Sequence, residues 1–239
     1  MEITGTTALV TGGARRVGRV ISLALAEAGA DVVVNYNASG AAAAQTVADI
    51  GGLGRRALAV QADVSRADDL DRLIAETTAA FGRLDIVVNS ASLFERSPVL
   101  DITEAEWDRV LGVNLKAPFL LSQRAAPLLR RRGGVIINIL DLSAFQPWPS
   151  FAHHAVSKAG LLHLTRVLAR ALAPEIRVNA IAPGTVLPPE AQAGEDGSER
   201  RVLRREGEPA DVTDALLYLI RSDFVTGEIL VVDGGRMLL

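Results

Sequence analysis

The sequence predicts a doubly wound α/β fold, a seven-stranded parallel sheet with helices on both faces. Three observations carry this. Short β-branched runs alternate with longer helical patterns along the whole 239 residues, and strict alternation of that kind builds right-handed βαβ units. The short runs are apolar almost throughout, as parallel strands covered on both faces are. The residues just after those runs are polar or marked by Gly and Pro, and in such folds ligands sit beyond the carboxyl ends of the strands.

The first strand is expected at Thr7–Thr11 and the second at Asp31–Tyr36 (DVVVNY). Arg56–Gln61, Leu84–Ser90 (LDIVVNS) and Gly134–Leu140 (GVIINIL) follow, and Ile176–Ala182 and Glu228–Asp233 complete the seven. Helical periodicity fills 18–28, 40–50, 67–81, 104–130, 152–173 and 209–221. No Pro/Ser-rich linker and no repeat period divides the chain, so residues 1–239 read as one domain. The longest stretch without periodicity runs from Leu187 to Glu208 and is rich in Pro, Gly, Glu and Arg. A long loop after a strand end is either a substrate lid or a solvated connection.

Composition excludes several functions. With 49% hydrophobic and 22% charged residues the chain is an ordinary globular protein. A net charge of −3 provides no basic field for nucleic acid, and the clusters Arg130–Arg132 and Arg200–Arg205 read as solvated helix ends and loops. The absence of cysteine removes disulfides, thiolate nucleophiles and thiolate metal sites. Three histidines, His153, His154 and His163, lie close together without an HExxH pattern, so no metal is expected. No apolar run reaches the roughly 18 residues of a membrane helix, and the first residues read as a strand rather than a signal peptide. A cytoplasmic protein is expected.

The chain is organised around Thr11-Gly12-Gly13-Ala14-Arg15-Arg16-Val17-Gly18, between the first strand and the first helix. Glycines allow close backbone approach, and a helix N-terminus offers free N–H groups to a phosphate. A Walker A loop is excluded because Arg19-Val20 stands where Lys and Ser/Thr are needed. The G-x-G-x-x-G spacing is absent as well. Thr11-Gly12-x-x-x-Arg16-x-Gly18 resembles the cofactor turn of the short-chain dehydrogenases/reductases, with Arg16 where Gly is usual. That variant is similar to the pteridine reductase branch. Further segments extend the resemblance over the chain: Asn89-Ser90-Ala91-Ser92, Asn114 in Val113-Asn114-Leu115, Pro183-Gly184, Phe224-Val225-Thr226-Gly227 and Val232-Asp233-Gly234-Gly235. A Rossmann-type sheet is implied.

The resemblance implies a nicotinamide cofactor. The second strand ends in Asn35-Tyr36-Asn37-Ala38-Ser39, without the carboxylate that suits the ribose hydroxyls of NAD. Arg15 and Ser39 can serve a 2′-phosphate instead, so NADPH/NADP+ is expected. Thr11, Gly12, Arg15, Arg16, Val17 and Gly18 would form the cofactor site with Asn35, Tyr36, Asn37 and Ser39. Asp63-Val64 would hold the adenine, and Asn89, Ser90, Ala91, Lys158, Pro183 and Gly184 the remainder.

The family's catalytic set is Ser, Tyr and Lys with a supporting Asn, the Tyr and Lys facing one another at i and i+4. Lys158 matches the lysine and Asn114 the asparagine. Asp141 stands at the serine position, as in pteridine reductases, and His154 at the tyrosine position. Histidine donates a proton only when protonated, and its ordinary pKa of about 6.5 suits that task. Asp141 and His154 are therefore expected to form a proton-donating pair, with Lys158 holding the nicotinamide ribose. The alternative is that His154 marks altered catalysis. By the same resemblance Phe94 would stack on a flat dihydropterin or dihydrofolate, with Arg16, Ser92, Asp141 and His154 around it and Trp148 as a further wall. The alternatives are another carbonyl or alcohol substrate, or a catalytically altered NADPH-binding protein. Family members are often tetramers, and the apolar end Met237-Leu238-Leu239 suits a buried terminus, so a homo-tetramer is expected.

Overall fold

The computed structural model describes residues 1–187 and 201–239. Seven strands, β1 (Thr7–Val10), β2 (Asp31–Tyr36), β3 (Ala57–Gln61), β4 (Ile86–Asn89), β5 (Val135–Ile139), β6 (Arg177–Pro183) and β7 (Ile229–Val232), form one sheet in the order β3-β2-β1-β4-β5-β6-β7. Every pairing is parallel. The chain winds outward from β1 to β3, returns to the middle at β4 and winds outward again. The carboxyl ends of β1 and β4, adjacent through Val10 and Val88, therefore flank a crevice at the reversal point.

The described helices are α1 (Arg16–Glu27), α2 (Gly40–Gly52), α3 (Ala67–Phe81), α4 (Glu104–Leu111), α5 (Ala117–Leu129), α6 (Ala152–Leu172) and α7 (Pro209–Arg221). Strand side chains alternate between two cores, as the period-2 geometry of a strand requires. Ala8, Val10, Val32, Val34, Ile86 and Val88 pack with Ile21 and Leu25 of α1, Ile50 of α2 and Leu216 and Leu219 of α7. Leu9, Val33, Val87 and Ile136 pack on the other face with Leu70 and Leu73 of α3, Leu121 and Leu129 of α5 and Leu168 of α6.

Local signals set the helix ends. At α4, Thr103 Oγ1 accepts from the Glu106 N–H while Glu106 accepts from the Thr103 N–H, a reciprocal cap. Gly82, at φ +69°, stops α3 in the left-handed region. The expected helix over 104–130 keeps helical backbone to Leu129, but its hydrogen-bond pattern changes part-way. A π-helical turn, Gly112–Lys116, separates α4 from α5, with the Ala117 N–H reaching back to the Gly112 carbonyl. Pro118, in the first turn of α5, has no N–H for the ordinary i→i−4 bond. The extra residue in the turn re-aims the side chains there, and Asn114, at its centre, is wholly buried. Of the loop expected over Leu187 to Glu208, residues 188–200 lie outside the described residues.

Candidate active site

The turn after β1 is built from backbone. Gly12 has φ +61°, and a Cβ on it would lie 3.0 Å from the Ala91 Cα. A Cβ on Gly18 would lie 2.1 Å from the Gly12 carbonyl oxygen, so the start of α1 is pressed onto the turn. Arg16 has φ +48°, a left-handed conformation costing a non-glycine residue about 1–2 kcal/mol. That cost is the physical reason why glycine is the usual occupant of this position. Thr11 Oγ1 accepts from the N–H groups of Ser90 and Ala91 at 3.0 and 3.1 Å, joining the turn to the end of β4. Arg15, at the N-cap of α1, makes no side-chain cap bond, and the first turn holds no acidic residue. The free amides and positive helix end are thus left for an external anion. Arg15 and Arg16 are exposed while Val17 is half-buried, and the Arg16 guanidinium donates to the Leu187 carbonyl.

Around this turn the expected cofactor residues divide into two kinds. Tyr36 is half-buried, Asn37 exposed, and Ser39 half-buried without a cap bond at the start of α2; these present polar groups outward. Asn35 is 1% exposed. It accepts from the Gly12 N–H and donates to the Ala62 carbonyl, so its amide ties the ends of β1, β2 and β3 together. Asn89 is likewise buried and donates to Asn138, which donates to Thr165. Asn35 and Asn89 are struts behind the crevice rather than open polar groups. Asp63 accepts from the N–H and hydroxyl of Ser65, and Val64 is buried beside it. Pro183 ends β6. A Cβ on the next residue, Gly184, would lie 3.0 Å from the Asp233 Cα.

Three segments converge beyond β5. Asp141 Oδ2 lies 2.7 Å from His154 Nε2, and Asp141 Oδ1 accepts from the Ser143 N–H at 2.9 Å and from the Ser143 hydroxyl. His154 Nδ1 lies 2.8 Å from the Leu93 carbonyl oxygen. One helical turn on, Lys158 Nζ donates to the Ile139 carbonyl at 2.8 Å. Burial pushes the Asp141 carboxyl up, but the hydrogen bond from His154, the Lys158 and His154 charges and the Ser143 hydroxyl overcome it, leaving it lowered to about 2. Burial pushes Lys158 down from the usual lysine range, opposed in part by Asp141. The pair is unevenly open: the His154 side chain is 1% exposed and that of Asp141 25%. Asp141 is thus the member that a ligand can reach.

Aromatic rings flank the pair. Phe94, 57% exposed, stacks on Phe151 at 4.4 Å and meets the edge of His154 at 4.8 Å and of Trp148 at 6.3 Å. Ser92, two residues earlier, is exposed. His153 is wholly buried and His163 exposed; neither joins the cluster. Among the described residues, no group of three or more His, Asp or Glu is placed to hold a metal, and no helix is long and apolar enough to cross a membrane.

Sequence reasoning missed the Leu93 carbonyl, Ser157 and Phe151. Ser157 was open to detection, since it lies at i+3 from His154, and its hydroxyl donates to the His154 carbonyl at 2.6 Å. A main-chain carbonyl such as that of Leu93 leaves no trace in residue identity.

The comparisons with known proteins agree with this architecture. The family described as Enoyl-(Acyl carrier protein) reductase matches residues 12–236. The chain belongs to the short-chain dehydrogenase/reductase family. A 3-oxoacyl-(acyl-carrier-protein) reductase of Staphylococcus epidermidis is 36% identical over 241 residues, covering 97% of this chain and 99% of that protein. A namesake from Synechocystis is 35% identical over 243 residues, covering 99% and 98%. Among solved structures, a short-chain dehydrogenase from Burkholderia cenocepacia in complex with NADP superposes with a TM-score of 0.92 at 35% identity, covering 99% of this chain and 100% of that one. The chain is thus a short-chain oxidoreductase that uses a nicotinamide cofactor.

Proposed function

We propose that this protein is an NADPH-dependent reductase that delivers hydride to the carbonyl carbon of a substrate other than a pterin. The observation that carries this is the Asp141–His154 pair at 2.7 Å with Lys158 one turn away. These three stand where the family has serine, tyrosine and lysine. The names of the relatives, which carry an acyl substrate, favour a carbonyl of that kind over the dihydropterin or dihydrofolate suggested by Arg16, Asp141 and Phe94.

NADPH, when bound, supplies the hydride. The open amides at the start of α1 face its diphosphate, and Arg15 and Ser39 take the 2′-phosphate, with no carboxylate at the end of β2 to repel it. Lys158 orients the ribose next to the nicotinamide. The Asp141–His154 pair gives the proton that the carbonyl oxygen needs as it gains an electron pair. Phe94, Phe151 and Trp148 wall the apolar part of the substrate. The proposal takes residues 1–239 as one domain and the working unit as a homo-tetramer, a reading supported by Leu238 and Leu239, 82% and 76% exposed in the single chain.

The test is NADPH consumption with three sets of acceptors: 3-oxoacyl thioesters, simple ketones, and dihydropterins with dihydrofolate. Turnover of the first or second set is expected. Turnover of the third set alone would restore the pterin reading. Tight NADPH binding without turnover of any acceptor would make the chain a catalytically altered NADPH-binding protein, a reading that the closure of His154 from solvent favours.

A further inference from the structure

We infer that Asn114 sets the protonation of the pair: by gripping the Leu93 peptide it holds a carbonyl against Nδ1 of His154, keeping the ring doubly protonated, so that the proton leaves through Asp141. This deepens, and for its catalytic part rests on, the carbonyl reduction proposed above.

The donors and acceptors require it. A carbonyl oxygen only accepts, so Nδ1, 2.8 Å from the Leu93 oxygen, carries a hydrogen. An ionised carboxylate also only accepts, so Nε2, 2.7 Å from Asp141, carries the other. A ring with both nitrogens protonated is an imidazolium. The competing arrangement has Nδ1 accepting from Asn114 Nδ2, but that separation is 3.3 Å. The Asn114 amide has better partners. Its oxygen accepts from the Leu93 N–H at 2.8 Å, which fixes its orientation. Its two N–H groups reach the Leu93 carbonyl and the Ser157 hydroxyl, both at 3.0 Å. The 3.3 Å contact is two donors converging on one carbonyl.

Asn114 therefore holds Leu93 by both its N–H and its C=O, from the centre of the π-helical turn. The charges around the ring are Asp141, beyond β5, and Lys158, on the same helix; the Glu106 carboxylate of α4 is held by the Thr103 N–H and hydroxyl at its own helix cap. With His154 closed to solvent, the substrate meets the carboxyl. As hydride reaches the carbonyl carbon, the π pair of the C=O bond moves to oxygen. The Nε2 proton of His154 passes to the Asp141 carboxylate and on to that oxygen, leaving the carboxylate ionised. The products are an alcohol, the oxidised cofactor and a neutral ring still bonded through Nδ1–H to Leu93, and a solvent proton entering by Asp141 restores the pair.

Asn114 is a positioning residue, so the test reads protonation and pH dependence together. Nitrogen-15 NMR of the full chain labelled at histidine follows its three histidines, with His154→Gln assigning the relevant ring. Both nitrogens of His154 are expected to be protonated at neutral pH. In Asn114→Ala, neutralisation of the ring and the fall-off of reduction with rising pH both move down by about one pH unit, the worth of one hydrogen bond to a charged group. In the isosteric Asn114→Asp, an added carboxylate moves both upward. A merely structural role would not give shifts of opposite sign. A neutral His154 ring at neutral pH in the native protein, or no shift in either variant, overturns the inference. Should Asn114→Ala not fold, the native spectrum and Asn114→Asp still decide. A doubly protonated ring in a protein that reduces no carbonyl refutes the proposed function alone.

Discussion

The two ends of the crevice are made of different materials. The turn from Thr11 to Gly18 is main chain brought close to main chain: 2.1 Å would separate a Cβ on Gly18 from the Gly12 oxygen, and the open amides of α1 point outward. The cluster beyond β5 joins side chains and a main-chain carbonyl from four segments: the Leu93 carbonyl after β4, Asn114 in the π-helical turn, Asp141 after β5, and His154 and Lys158 on α6. A backbone site tolerates almost no added atom, and the field it offers an anion comes from peptide dipoles that no side-chain substitution removes. A side-chain site tolerates changes of shape but depends on every proton. The first fails by steric exclusion and the second by loss of a charged partner.

Four measurements sharpen or break that contrast. The largest effect is expected for Asp141→Asn, which keeps the shape and removes the charge: kcat falls by about a hundred- to ten-thousand-fold, while NADPH affinity, measured by fluorescence titration, stays within about twofold. Unchanged kcat would remove the pair from the chemistry. Next is Gly18→Ala at the turn. Its Cβ meets backbone that cannot give way, so a stability loss of about 3 kcal/mol, seen as a lower urea midpoint, is expected together with loss of cofactor binding. A variant as stable as the native protein would refute the close packing.

The third concerns acid. The Asp141 pKa is lowered to about 2 in the folded protein from the ordinary 3.8 of an aspartate. A carboxyl so depressed adds stability above its unfolded value and loses it as pH falls, here from about 4 through about 2. The contribution is about 2 kcal/mol. Urea unfolding near pH 5 and near pH 2 should show it in the native protein and not in Asp141→Asn. The smallest effect is expected for Arg15→Ala, an exposed cation: NADPH binding weakens by about tenfold and NADH binding does not change, since only the former has the 2′-phosphate. Equal weakening of both would take Arg15 off that phosphate.

Most of the fold was legible, and for a simple reason. Parallel strands buried on both faces are apolar over most of their length, as Val32–Val34 and Val135–Ile137 are, so each strand announces itself. The helix over 104–130 was legible but its π-helical turn was not, because one extra residue changes the hydrogen-bond step from four to five without altering composition. The candidate cofactor residues were named from the resemblance to the family's motifs, and two of them, Asn35 and Asn89, are buried as internal struts. A polar side chain at a strand end faces the ligand or the core according to the strand's phase, and residue type is the same in both cases. The Asp141–His154 contact was anticipated because the two residues stand at the family's serine and tyrosine positions. The Leu93 carbonyl that completes it was not.

The sequence by itself determined the alternation of elements, the glycine turn, the missing carboxylate after β2 and the substitution of His154 for tyrosine, because each rests on local stereochemistry or on the identity of one residue. Only the tertiary structure decided that His154 lies between two acceptors and away from solvent, that Asp141 is the exposed member of the pair, and that Asn114 grips the Leu93 peptide. Those facts depend on where main-chain atoms of segments tens of residues apart come to rest, and a main-chain carbonyl is the same whichever side chain it carries.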